Sequence, residues 1–134
     1  MKKNFSLFVL ILLIDMPLYA DEQDEMTPGI ARAQFTTVVV DREPVDDITE
    51  LPNNITKIHF FSDQRGMKDQ PLTHRWEYNG KVMAEIKFEI GGPRWRVKSS
   101  KNLLPNQLGK WKVSIVDWAG EVIAEKTFTY IEAK

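Results

Sequence analysis

Residues 72–90, LTHRWEYNGKVMAEIKFEI, decide how this chain folds. Leu72, His74, Trp76 and Tyr78 share one parity, and Thr73, Arg75 and Glu77 share the other. Beyond Asn79-Gly80 the alternation resumes. Val82, Ala84, Ile86, Phe88 and Ile90 interleave with Lys81, Met83, Glu85, Lys87 and Glu89. A period of two is what a strand with one dry face and one wet face requires. Asn-Gly tolerates positive φ at both central positions of a two-residue turn, which matches the twist of paired strands. The stretch therefore predicts an antiparallel hairpin of strands 72–78 and 81–90, ended by Gly91-Gly92-Pro93.

The same period extends outward on both sides. Runs at 31–40, 57–62, 94–100, 110–117 and 122–131 read as further strands, separated by short loops rich in Gly, Pro and Asn. Residues 47–51 leave room for one helical turn, and no longer helix fits. Seven short strands without a helix predict two packed antiparallel sheets. In the expected arrangement the first, second and fifth strands form one sheet, and the fourth, third, sixth and seventh the other. The simplest fold with that order is an all-β, seven-stranded antiparallel immunoglobulin-like or fibronectin-III-like sandwich. Trp76 would be its central aromatic.

The start of the chain has a different character. Lys2 and Lys3 precede an apolar run over 5–14 broken by Ser6, and Leu18-Tyr19-Ala20 leads into acidic residues. That order predicts a signal peptide over 1–20, cleaved after Ala20. A membrane anchor would need about 20 apolar residues, and Asp15 and Pro17 interrupt this run. A polar leader over 21–29 and a domain over 30–132 follow. The expected location is the periplasm, with secretion as an extension of the same route. The chain has 134 residues, enough for one domain, and no cysteine, so neither a disulfide nor a lipid on Cys is available. Lys and Arg number 18 against 19 Asp and Glu. This balance lacks the positive excess that general nucleic-acid binding demands.

Catalytic patterns are not found. The two histidines, His59 and His74, lack partners at zinc-site spacing. His74 shares parity with Leu72 and Trp76 and reads as a core residue; His59 alternates with Ile58 and Phe60 and reads as facing water. Glu43, Asp46 and Asp47 could in principle supply paired carboxylates for glycoside hydrolysis, but loop carboxylates beside a basic residue are ordinarily turn formers. Gly91-Gly92 runs into Pro93, not a helix start, and cannot cradle phosphate. No catalytic residue, metal or cofactor is assigned.

The aromatic–basic segments stand out instead. Arg75 lies on the third strand, and Arg94, Arg96, Lys98 and Lys101 on the fifth. Guanidinium groups grip carboxylate, phosphate or sulfate with two parallel bonds. Alternating cations also serve as plain solvation and protect sheet edges. Trp76 and Trp95 share parity with core residues and are expected inside. Trp118 sits in a turn beside Ala119-Gly120, where it cannot easily reach a core. It is the candidate exposed aromatic, with Met67 and Met83 as possible companions.

Several runs together resemble the bacterial family known as domain of unknown function 2914. They are Arg32-Ala33-Gln34-Phe35-Thr36-Thr37, Asp41-Arg42-Glu43-Pro44-Val45-Asp46, His74-Arg75-Trp76, Gly91-Gly92-Pro93-Arg94-Trp95-Arg96 and Ser99-Ser100-Lys101. The resemblance spans about residues 30–130. It implies a stand-alone envelope protein of a Gram-negative bacterium and carries no established activity or catalytic residue. Trp118 and Asn106-Gln107-Leu108 look less typical of the pattern.

The expected function is a non-catalytic periplasmic binding module that recognises an envelope protein or an anionic polymer such as a polysaccharide. The alternatives are a carbohydrate-binding domain using an exposed Trp, a carboxylate-based hydrolase and an edge-strand chaperone. Pro44 and the charged strands argue against the last.

Overall fold

A computed structural model describes residues 28–134. The expected signal peptide and all but the end of the expected leader lie outside the described residues. Ten strands follow in chain order: β1 Gly29–Thr36, β2 Val39–Val40, β3 Glu43–Pro44, β4 Glu50–Pro52, β5 Lys57–Arg65, β6 Pro71–Tyr78, β7 Lys81–Glu89, β8 Arg94–Asn102, β9 Gly109–Val116 and β10 Val122–Ile131. No helix occurs among the described residues.

The long strands form a three-stranded sheet, β1-β5-β8, and a five-stranded sheet, β4-β10-β9-β6-β7. The grouping of the seven long strands is the one predicted from sequence. The β6–β7 hairpin forms as expected, with Asn79 and Gly80 at φ 49° and 86°. All pairings are antiparallel except β4 with β10.

The inner faces of the two sheets share one core. Phe35, Ile58 and Phe60 come from the three-stranded sheet; Leu72, Trp76, Trp111, Val113, Ile115, Phe128 and Tyr130 come from the other. Phe35 meets the Trp76 ring edge-on at 5.9 Å between centroids, and Phe60 meets His74 at 4.9 Å. Such pairs add to the burial of their area.

Four expectations are corrected. The first strand ends at Thr36, not at 40. The Asp46 carboxylate accepts hydrogen bonds from the Thr36 and Thr37 hydroxyls at 2.5 and 2.6 Å and from the Thr37 amide at 2.8 Å. That staple turns the chain out, so Val38 and Val40 are exposed, and β2 and β3 form a separate small hairpin with Asp41 and Arg42 at φ 50° and 63°. Residues 50 and 51, at the end of the 47–51 stretch read as room for a helical turn, instead join Pro52 in β4 alongside β10. Val82 points out, because the β6–β7 register slips between Trp76 and Glu77 and the parity changes there. Trp95 is 40% exposed. It lies at the start of β8, beyond the reach of the core, and its ring folds over the backbone of Gly91 and Gly92.

Candidate functional site

The outer face of the three-stranded sheet gathers the charge. Cross-strand register places Arg32 of β1 beside Asp63 of β5, and Asp63 beside Arg96 of β8. One step along, Arg65 stands directly opposite Arg94; one step the other way, Phe61 stands opposite Lys98. Period two puts all these side chains on the same face. Five cations thus surround Asp63, and one further carboxylate reaches them from outside the sheet.

That carboxylate is Glu43. The Arg32 guanidinium donates to both its oxygens, at 2.9 and 3.0 Å, and Arg96 donates to it as well. The side-chain bonds from Arg32 outweigh the partial desolvation, and with help from Arg96 they lower the Glu43 pKa to about 2. Asp63 takes one bond from Arg32 at 3.4 Å and two from Arg65 at 3.2 Å. Among the described residues, Arg94 and Lys98 have no carboxylate partner. The cluster lines an open cleft of about 320 Å³.

Next to it lies an apolar patch. Phe61 points outward yet is buried, with the Arg32 guanidinium 5.0 Å above its ring. The β2–β3 hairpin overlies this region. Val39, Asp41 and Arg42 on one side, and Phe61, Arg96, Val97 and Lys98 on the other, bound a second cleft of about 360 Å³.

The predicted residues distribute unevenly over this arrangement. Arg94, Arg96 and Lys98 come together on the face. Arg75 does not join them: it lies on β6 in the other sheet and pairs with Glu85 at 3.1 Å. Lys101 has the opposite parity on β8, opposite Ile58, where parity turns it away from the cluster. Trp118 is 67% exposed in the β9–β10 turn and borders a cleft with Pro28, Ile30, Gln70 and Ile123. Met67 reaches the same cleft but is buried, and Met83 packs against the core. Arg32, Arg65 and Asp63 are not candidates from sequence, and Glu43 is read there only as a carboxylate for hydrolysis. Arg32, Asp63 and Arg65 reach the site through β1 and β5, whose register no local pattern reveals, and Glu43 reaches it through β3.

Asp46, named for the hydrolase alternative, and the two histidines occupy separate environments. Asp46 is held by Thr36 and Thr37; burial pushes its carboxyl up, but the three hydrogen bonds outweigh that and leave it below the usual carboxylate range. His74 is enclosed between Ser62 and Ser99, 2.8 Å from one hydroxyl and 2.7 Å from the other, and the Trp76 indole also donates to Ser99 at 3.0 Å. Burial lowers its pKa to about 3. Among the described residues no carboxylate joins this network, and all four side chains are buried. His59 lies on the outer face, half-buried, with its Nδ1 covered and unpartnered, rather than open to water as expected. Among the described residues no group of three His, Asp or Glu stands close enough to hold a metal ion, and no helix is long and apolar enough to cross a membrane.

Residues 69–130, from the loop before β6 to Tyr130 in β10, match the model of a family described as protein of unknown function (DUF2914). The match covers just under half of the chain. The match is shorter than the resemblance read from sequence, since the runs at 32–37 and 41–46 precede it. The matched residues include Arg94, Arg96 and Lys98 of the charged face, while Arg32, Glu43, Asp63 and Arg65 precede them. No curated protein matches the chain.

Proposed function

We propose that this chain is an exported, non-catalytic binding module of the bacterial envelope that grips a linear anionic polymer on the outer face of its three-stranded sheet. In this reading the two sheets form an immunoglobulin/fibronectin-III-like sandwich, a scaffold that holds the cations rigidly. The observation that carries the proposal is the direct opposition of Arg65 and Arg94 across β5 and β8. Like charges placed opposite one another on adjacent strands destabilise a sheet. Such an arrangement gains from an anion laid between them, and guanidinium groups suit carboxylate, sulfate or phosphate. Arg94, Arg96 and Lys98 repeat every second residue, about 6.8 Å apart along the strand, which suits a chain of regularly spaced charges.

The test is retention on beads bearing a carboxylated or a sulfated polysaccharide. Wild-type protein should be retained at low salt and released as salt rises, with a log–log slope reflecting the cations engaged. Arg94→Glu with Arg96→Glu should abolish retention, and Arg75→Glu on the other sheet should leave it unchanged. Equal retention of all three proteins would remove the face from consideration. A second reading, sugar stacking on an aromatic side chain, is favoured by the exposure of Trp118 and Trp95. A Trp118→Ala variant that alone loses glycan binding would support it.

A further inference from the structure

We infer that Glu43 fills, from within the chain, the seat that a carboxylate of the bound polymer takes, so that the ligand displaces the β2–β3 hairpin when it docks. The inference rests on the anion-binding reading above and names the chemistry of the ligand group. Among the described residues, Glu43 is the one carboxylate from off the sheet that pairs with the cluster's cations: Asp63 is part of β5, whereas Glu43 is delivered by a separate two-stranded element. The hold on it is that of an external anion. Arg32 engages both oxygens in parallel, at 2.9 and 3.0 Å, and Arg96 engages one of them from the other side. A planar, two-oxygen anion therefore fits between Arg32 and Arg96, and carboxylate is the class this seat is shaped to take.

The element bearing Glu43 is built to leave. β2 and β3 are two residues each and pair only with one another. Their turn places Asp41 and Arg42, neither of them glycine, at positive φ, a conformation that side chains with a Cβ adopt at some cost. Val40 is exposed, and a cleft already separates the turn from Lys98 and Val97. Small elements with few buried contacts open at the lowest free energy. Departure of Glu43 would free both guanidiniums and uncover Phe61, which gives the site an apolar floor beside its cations. The hairpin thus lowers affinity for isolated anions and favours ligands with enough charges to outcompete an internal one.

The experiment titrates a fluorescent oligogalacturonate, and in parallel a sulfated dextran, into wild-type protein and three variants. Glu43→Gln empties the seat. Glu43→Asp keeps the charge but withdraws the carboxylate by one methylene. Asp41→Asn removes the same charge from the tip of the same hairpin without touching the seat. Thermal melts confirm that each is folded. Glu43→Gln and Glu43→Asp should both tighten oligogalacturonate binding, the former by about tenfold, the size expected for releasing a charge-assisted pair; Asp41→Asn should change it less than about twofold. The dextran should gain less than the oligogalacturonate. Hydrogen exchange at the hairpin amides should accelerate in wild-type protein when saturated with oligogalacturonate. Binding that is equal in Glu43→Gln and Asp41→Asn, or a hairpin that stays protected at saturation, overturns the displacement. Absence of binding by every protein overturns the anion-binding reading itself and this inference with it.

Discussion

His74 Nδ1 lies 2.7 Å from Ser99 Oγ, between two sheets whose shared core is built mainly of apolar side chains. The imidazole has a hydroxyl at each nitrogen, so either tautomer finds one donor and one acceptor. It has no carboxylate to stabilise a second proton. Neutral His74 is therefore part of the folded state, and charging it opposes folding.

This sets a pH dependence. His74 is lowered to about 3 in the fold against 6.5 when free. Below pH 6.5 the unfolded chain takes up a proton that the folded chain refuses, so stability falls as pH drops, until the folded value near 3 is reached. The limiting slope is about 1.4 kcal/mol per pH unit for one proton. Urea melts between pH 7 and 4 should show this decline, and a folded His74→Phe variant should lack most of it. An equally steep decline in the variant would assign the effect elsewhere.

Ser99→Ala removes the shared partner of His74 Nδ1 and the Trp76 indole N–H. Both groups are buried and would be left without that bond, at a cost of about 2–3 kcal/mol. The neighbouring Ser100 is exposed, and Ser100→Ala should stay within about 0.5 kcal/mol. Denaturant midpoints of the two variants decide the matter, and similar values would show that the hydroxyl of Ser99 contributes little.

Asp46→Ala deletes three hydrogen bonds that end β1 and launch the hairpin. The expected loss is about 1–2 kcal/mol, with faster amide exchange confined to residues 37–46. Because the folded carboxyl sits below its ordinary 3.8, its contribution is complete above that pH and is lost as pH falls through the folded value. The difference between wild type and Asp46→Ala should accordingly shrink in acid. A constant difference down to pH 2 would contradict the assignment.

Gly91→Ala would place a Cβ 2.8 Å from the far edge of the Trp95 indole. The ring is at the surface and can swing away, so stability should change by less than about 1 kcal/mol. Iodide should quench Trp95 and Trp118 but not Trp76 or Trp111 in wild-type protein, and Gly91→Ala should steepen the quenching of the accessible pair. An unchanged quenching slope would mean that the ring does not rest on the glycines.

What could be read from the chain follows the range of the interactions involved. Alternation over 72–90 and the Asn79-Gly80 turn are local, and they yielded the central hairpin and the grouping of long strands. The Asp41–Arg42 turn escaped notice because neither residue advertises positive φ; the Asp46 staple, acting across the loop, creates it. β4 escaped because its partner in β10 lies far along the chain. Parity correctly put Arg94, Arg96 and Lys98 together but cannot tell one sheet from another, so Arg75 was grouped with them in error. Nor does parity measure burial: Trp95 has the inward parity of Val97 and Ser99, yet the core stops short of it.

The place of β10 in the five-stranded sheet has a consequence for how that sheet closes. It is the last of the described strands in chain order, yet it sits between β4 and β9 and delivers Phe128 and Tyr130 to the interior. Until those side chains are in place, β4 has no strand neighbour among the described residues, and Trp111 lacks one of the two rings stacked on it, Phe128 at 6.2 Å. Closure of this sheet is therefore coupled along the described chain, from residue 50 to residue 131.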